Sequence, residues 1–419
     1  MGILGPMVVV AERSAADLID VLGKAGAFPI VETNWADAPR AVAEIQPAAL
    51  ILAEPGPAPD SRPVQVLIKK IEARGGPYMP VLAQVNGDSE IAIPSALPAP
   101  VEEPLERLIA RLRSALRVRT LHAAVLRRAG IDARSKKNRA FPIPDLLDHA
   151  TVLCMGRGRS YPALTTAIGE RVGLIGALSV ETAARYLNAR DIDGIVIGDG
   201  FGPRVVEALL IVLAEDARFR DLPVGILGNG AVDDERLPNL VRIASDPARL
   251  VERLLPLVRL QAFESHLKRT LKSLETDGLV DPETGLLAGG AFWRDLERAV
   301  QEAEDGGGCL SVARFSFEDI ADRRASVDAA RLFARLVRDI DFACRDDDGS
   351  ILAAFTETDL RSAHVVARRI ASVLKHTMLA PGRDRRSIRP TVTLATLKPT
   401  DNLSTLVARV GTYPKVAAS

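Results

Sequence analysis

Four consecutive apolar residues, Met7-Val8-Val9-Val10, open a pattern that leaves few folds available to the chain. A run this short and wholly apolar reads as a strand buried on both faces. Helical spacing follows at Leu18, Ile19, Val21 and Leu22, then apolar runs at residues 49–53 and 80–85 and an amphipathic helix from about Val101. Strands alternating with helices predict a doubly wound parallel sheet covered on both faces. The same order returns downstream, with strands at 151–155, 194–197 and 224–227, a helix near 161–170 and a long helix over 246–274. This is a duplication of architecture without close sequence identity. The long helix can carry geometry from one domain to the next or pair with its twin in a dimer.

From Asp277 the pattern changes to α+β: a turn at 281–285, a helix to about Glu302, a strand at 310–317, a helix at 325–338, a hairpin over 342–355, a helix at 359–375 and a strand at 390–397. Residues 135–145 are basic and proline-bearing, as a linker is. The expected domains are therefore 1–130, a linker 131–149, 150–274 and 275–419.

Composition excludes several classes of function. With 54 basic and 54 acidic residues there is no global field for nucleic acid or an anionic membrane, so any anion site is local. Cys154, Cys309 and Cys344 are far apart, read as small core residues and suit a reducing compartment. No basic leader and no apolar stretch of membrane-spanning length are present, and the expectation is a soluble, cytoplasmic protein. His122, His149, His266, His364 and His376 show no paired metal spacing and are expected at the surface or in linkers, with no metal and no cofactor. Trp293 beside Phe292 reads as core packing, and Gly306-Gly307-Gly308, lacking a following Lys-Ser/Thr, as a turn.

Both N-terminal copies resemble the receiver domains of response regulators, which have a flavodoxin-like fold. Phosphoryl transfer there needs an acidic pair, an aspartate ending the third strand, a hydroxyl and a lysine, because carboxylate-held Mg²⁺ neutralises the incoming phosphoryl group. The first copy offers Glu12, Ala53-Glu54 and Ala99 at these places; the second offers Gly156-Arg157, Gly198-Asp199 and Ser245-Asp246. Two readings follow: phosphorylation at Asp199 or at Asp60, or pseudo-receivers kept for docking and dimerisation.

Asp281-Pro282-Glu283-Thr284-Gly285-Leu286, with Phe292 beyond it, resembles the opening signature of GGDEF (nucleotidyl-cyclase-like) domains, and the resemblance extends through nearly all of 275–415. With two receiver-like copies ahead of it, the chain resembles the PleD-type receiver–receiver–GGDEF response regulators. The resemblance implies a degenerate active site. The first metal aspartate falls on Arg314, and the signature hairpin becomes Asp347-Asp348-Gly349-Ser350-Ile351. The guanine-reading pair becomes Ala288-Gly289, only Glu297 keeps an acid, and Tyr413-Pro414-Lys415-Val416 displaces the phosphate-binding lysine. Two-metal chemistry cannot run through a cation at a ligand position.

The family's product-binding pattern R-x-x-D, placed five residues before the hairpin, is kept as Arg338-Asp339-Ile340-Asp341, and its second arginine falls on Arg369, with Arg368 and Arg345 as additional contacts. Arginine forks suit phosphate and guanine O6/N7, and a carboxylate suits guanine N1–H and N2–H. The tetrapeptide also occurs as Arg190-Asp191-Ile192-Asp193, and a solvated i,i+3 pair is the bland alternative. The expected ligand is cyclic di-GMP, bound by a homodimeric scaffold without cyclase activity. By resemblance to inactive members of the family, its partners would include a protease adaptor at the cell pole in cell-cycle control. An active cyclase and a nucleotide-independent scaffold are the rival readings.

Overall fold

The computed structural model describes residues 4–53, 56–86, 91–129, 147–148, 150–228, 236–276, 278–306, 308–317, 323–338, 340–375 and 390–411. Residues 131–146 and His149 of the expected linker, together with Glu54, His376, Asp339 and the 413–416 run, lie outside the described residues.

The first sheet is built from β1 (Leu4–Val10), β2 (Phe28–Thr33), β3 (Ala49–Leu52), β4 (Val81–Val85) and β5 (Leu97–Pro100). It is parallel and ordered β2-β1-β3-β4-β5, with α1 (Ala16–Lys24), α2 (Ala38–Ile45), α3 (Arg62–Glu72) and α4 (Leu105–Arg128) between and after the strands. Met7 to Val10 and Ala49 to Leu52 are buried throughout, which is why their sequence carries no polar alternation. β2 and β5 were not apparent in the sequence. β2 is half exposed at a sheet edge, and β5 carries two prolines, which only an edge strand tolerates.

The second sheet repeats the arrangement with β6 (Thr151–Met155), β7 (Gly173–Ala177), β8 (Gly194–Ile197), β9 (Val224–Leu227) and β10 (Leu240–Ile243), in the order β10-β9-β8-β6-β7. Its helices are α5 (Tyr161–Gly169), α6 (Val180–Ala189), α7 (Pro203–Glu215) and the 29-residue α8 (Pro247–Glu275). Both sheets thus have the 2-1-3-4-5 order of flavodoxin-like folds.

One buried cation ties the two sheets. Arg111 of α4, only 1% exposed, donates to the carbonyls of Pro98 and, at 2.9 and 3.1 Å, of Pro238 and Leu240. Burial lowers its pKa to about 10, opposed by Glu103 3.9 Å away. His122, expected at the surface, is instead buried. Its Nδ1 accepts from the Tyr78 amide at 2.9 Å and its ring packs edge-on against Phe263 at 5.1 Å, so an apolar helix face has absorbed it.

The third sheet is antiparallel, β12-β13-β11-β14, from β11 (Leu310–Phe317), β12 (Phe342–Arg345), β13 (Ile351–Thr356) and β14 (Pro390–Thr396). Strand alternation divides its side chains into two cores. Ala313, Phe315, Ile351, Ala353 and Phe355 pack with α10 (Arg323–Leu336) and α11 (Leu360–Lys375). Leu310, Val312, Cys344, Leu352 and Ala354 pack with α9 (Gly289–Gly306) and α12 (Leu403–Ala408). Trp293 joins the second core, its ring 5.5 Å from Phe292, as expected.

The chain groups into two compact units, one of residues 1–171, 176–180 and 193–267, the other of 172–175, 181–192 and 268–419. No described helix is long and apolar enough to cross a membrane. Arg111→Met is expected to lower the unfolding free energy in urea by about 3 kcal/mol, because three buried carbonyls lose their donor.

Candidate functional site

The turn at 281–285 is a compact hydrogen-bonded unit. The Asp281 carboxylate accepts from the Glu283 amide at 3.0 Å and the Thr284 hydroxyl at 2.5 Å, and the Gly285 amide closes on the Asp281 carbonyl at 2.8 Å. Gly285 sits at φ +78°, which explains glycine there. The turn drives Leu286 into the core and lets the Leu287 amide reach the Ala343 carbonyl at 2.9 Å, so it is anchored beside β12.

β12 and β13 form the expected hairpin, closed by Asp346 N–H to the Ser350 carbonyl at 2.8 Å and by Gly349 at φ +82°. Asp348 caps it from within, accepting from the Ser350 amide and hydroxyl at 2.9 and 2.6 Å. Arg314 lies opposite Leu352 in register, on the same pleat face as Ser350. Its guanidinium donates to Ser350 Oγ at 3.2 Å, to the Asp348 carboxylate and to the Gly411 carbonyl. Burial alone would raise the Asp348 carboxyl; its bonds from Ser350 and from Arg314 outweigh that and hold it below the ordinary aspartate range. Arg314 thus stands among three oxygen acceptors, a hydroxyl, a carboxylate and a carbonyl. Among the described residues no cluster of His, Cys, Asp or Glu could hold a metal.

Arg338 follows α10 and Asp341 immediately precedes β12. Arg338 is exposed, whereas Asp341 is 7% exposed. One Asp341 carboxylate oxygen accepts from the Thr356 amide at 3.0 Å, and the Thr356 hydroxyl donates to the Ile340 carbonyl at 3.0 Å. Burial raises the Asp341 carboxyl, opposed by the Thr356 amide and the charge of Arg338. Arg368 and Arg369 are both exposed on α11, whose opposite face holds Ala363, Val366, Ala367 and Ile370 in the core. Arg368 shares a shallow depression of about 700 Å³ with Arg361 and His364, a basic row one helical face wide that the sequence reading missed. Its signal was present as arginines and a histidine at i, i+3 and i+7.

Other candidates have structural partners. Arg345 pairs with Glu283 of the turn at 3.3 Å. Asp191, in the repeated tetrapeptide, pairs with Arg335 of α10 and lies 3.8 Å from Arg269. Asp199 follows β8, and its carboxylate accepts from the amides of Arg159 and Ser160 at 2.9 and 3.1 Å and from the Ser160 hydroxyl. The Ser160 hydroxyl, with both amides, holds the Asp199 carboxyl below its ordinary range against slight burial. Asp60 lies exposed in the turn before α3. Cys154 and Cys344 are buried as expected, with burial raising the Cys154 thiol to about 12, but Cys309 is exposed because it precedes β11 in a loop.

No protein-family model and no curated protein sequence matches the chain. Solved structures similar to part of it are GGDEF domains. The coiled coil and GGDEF domain of DgcB from Caulobacter crescentus, in complex with c-di-GMP, is 20% identical over 35% of this chain and 83% of that one, with a TM-score of 0.31. The GGDEF domain of FimX from Pseudomonas aeruginosa is 17% identical over 32% of this chain and 89% of its own, at 0.29. Diguanylate cyclase SiaD from Pseudomonas aeruginosa, in complex with its activator SiaC, is 20% identical over 39% and 67%, at 0.31.

The opposite displacements of Asp348 and Asp341 give opposite pH dependences. The depressed Asp348 contributes stability above the ordinary aspartate value that is lost as pH falls through its folded value; the raised Asp341 costs stability at neutral pH and is relieved on acidification. Arg314→Ala should therefore lower stability at neutral pH by about 0.5–1 kcal/mol and flatten the acid limb below roughly pH 4 in urea titrations. Asp341→Asn should unfold at the same urea concentration as wild type or a higher one at neutral pH, since the amide oxygen can still accept from Thr356.

Proposed function

We propose that the chain is a cyclic-di-GMP-binding effector of the receiver–receiver–GGDEF type, without diguanylate cyclase activity. The observation that carries the reading is the contrast between two places on the third sheet. At the position where a cyclase needs a metal-binding carboxylate, Arg314 fills the space and is bonded to Ser350, Asp348 and the Gly411 carbonyl. A cation there repels Mg²⁺ and leaves the GTP phosphates no metal bridge. At the segment before the hairpin, Asp341 is held by Thr356 with lone pairs left to accept, and Arg338 and Arg369 are exposed.

Binding follows from these groups. The guanidinium forks of Arg338 and Arg369 take phosphate oxygens and guanine O6 and N7, and the Asp341 carboxylate takes guanine N1–H and N2–H. Each charged hydrogen bond contributes about 1.5–3 kcal/mol. Arg368 extends the basic surface, whereas Arg345 supports the site through Glu283. A scaffold of this kind works when its two states differ in ligand affinity. The N-terminal sheets then serve as receiver-like docking and dimerisation modules, with a protein partner such as a protease adaptor; polar localisation and cell-cycle control rest on the family resemblance alone.

Calorimetry on the full chain tests the reading. Cyclic di-GMP should give saturable heat that Arg338→Ala and Arg369→Ala each weaken by at least about tenfold, the equivalent of 1.4 kcal/mol. Asp341→Asn should lose binding while keeping its fold. Equal heats for wild type and Arg338→Ala would instead support the nucleotide-independent scaffold. Incubation with GTP and Mg²⁺ should yield no cyclic di-GMP above background; product formation would restore the cyclase reading.

A further inference from the structure

The segment that carries Asp341 has a second face. Asp341 turns to the Thr356 amide, whereas its neighbours Ile340 and Phe342 line a different surface. Phe342 packs toward the core under α9, and Ile340, 58% exposed, lies beside it. Together they line a groove of about 530 Å³ bounded by α9, the start of β11 and the end of β13. Around the apolar strip stand Asp295 and Glu302 of α9 and Glu357 after β13, with Arg298 the one cation among the described lining residues. Exposed Cys309 lies at its margin.

Its rim is well anchored. The Thr358 amide donates to the Cys309 carbonyl at 3.2 Å, and the Ser311 hydroxyl to the Thr358 carbonyl at 2.8 Å, which fixes the Glu357 corner. The size falls within the range of pockets that take ligands, and an apolar floor under an acidic margin selects for the complementary pattern. We propose that this groove docks a basic amphipathic helix of a partner protein, its apolar anchors against Ile340 and Phe342 and its lysines or arginines against Asp295, Glu302 and Glu357. Helix-in-groove recognition uses such anchors at i, i+3 and i+4 spacing. A nucleotide is disfavoured by the same charges, because its phosphates would meet the carboxylates of Asp295, Glu302 and Glu357. The proposal does not depend on cyclic di-GMP binding on the opposite face.

Cys309 provides the readout, since Cys154 and Cys344 are buried. The full chain would be alkylated with a maleimide dye in the presence of a synthetic helix of leucines and lysines at amphipathic spacing, or of its glutamate-for-lysine counterpart. The leucine–lysine helix should slow Cys309 labelling about tenfold, and the glutamate helix should leave it unchanged. Glu302→Lys and Ile340→Ser, both at exposed positions that keep the fold, should each remove most of that protection, and added salt should weaken it. Equal protection by both helices, protection by neither, or protection that survives both substitutions would overturn the assignment. Protection that grows with protein concentration in the absence of peptide would give the groove to a second copy of this chain and overturn the assigned occupant.

Discussion

Two-sided burial of strands is the constraint on which this molecule rests. In the parallel sheets it demands runs such as Met7 to Val10, with no polar residue to mark a solvent face. In the antiparallel sheet it divides the apolar residues between two cores, and that division places polar chemistry as well as leucine. Arg314 faces Ser350 because both lie on one pleat face of the β11–β13 pair, and Phe342 enters the core under α9 while Ala343, next along β12, enters the other.

The hairpin corner shows how a charge is held stable by oxygens gathered from separate parts of the chain. Arg314 brings donors to a carboxylate, a hydroxyl and a carbonyl, which is the oxygen set a divalent ion would seek. Its side chain is 19% exposed, so desolvation is partial and the bonds offset it without a second buried charge. Asp341 is the converse case. It is more deeply buried, yet one amide and a neighbouring guanidinium leave its carboxyl raised, so it carries unspent capacity to accept hydrogen bonds.

Much of this was legible in the sequence, and the omissions have physical causes. Apolar runs identified the central strands, and the 281–286 turn could be placed because its residues bond to one another locally. The interval from Arg338 to Arg369 was readable because it is a count along the chain. The partners of Arg314 were not, because the Gly411 carbonyl is 97 residues away and only folding brings it near. Arg111 and His122 were hidden for a related reason. Polar residues in a helical pattern read as solvated unless a distant carbonyl or amide is known to await them. The prolines of β5 argue against a strand until its edge position is seen.

The lattice of bonds around Arg314 also bears on how such a sequence can change over generations. Exchanging that one residue for an acid would strip Gly411 and Ser350 of their donor and set two negative charges against each other across the hairpin, with no ion yet held between them. A first step from Arg314 to an acid therefore passes through a less stable protein. The corner behaves as a latch, with each of its bonds resisting replacement of the one residue that all of them share.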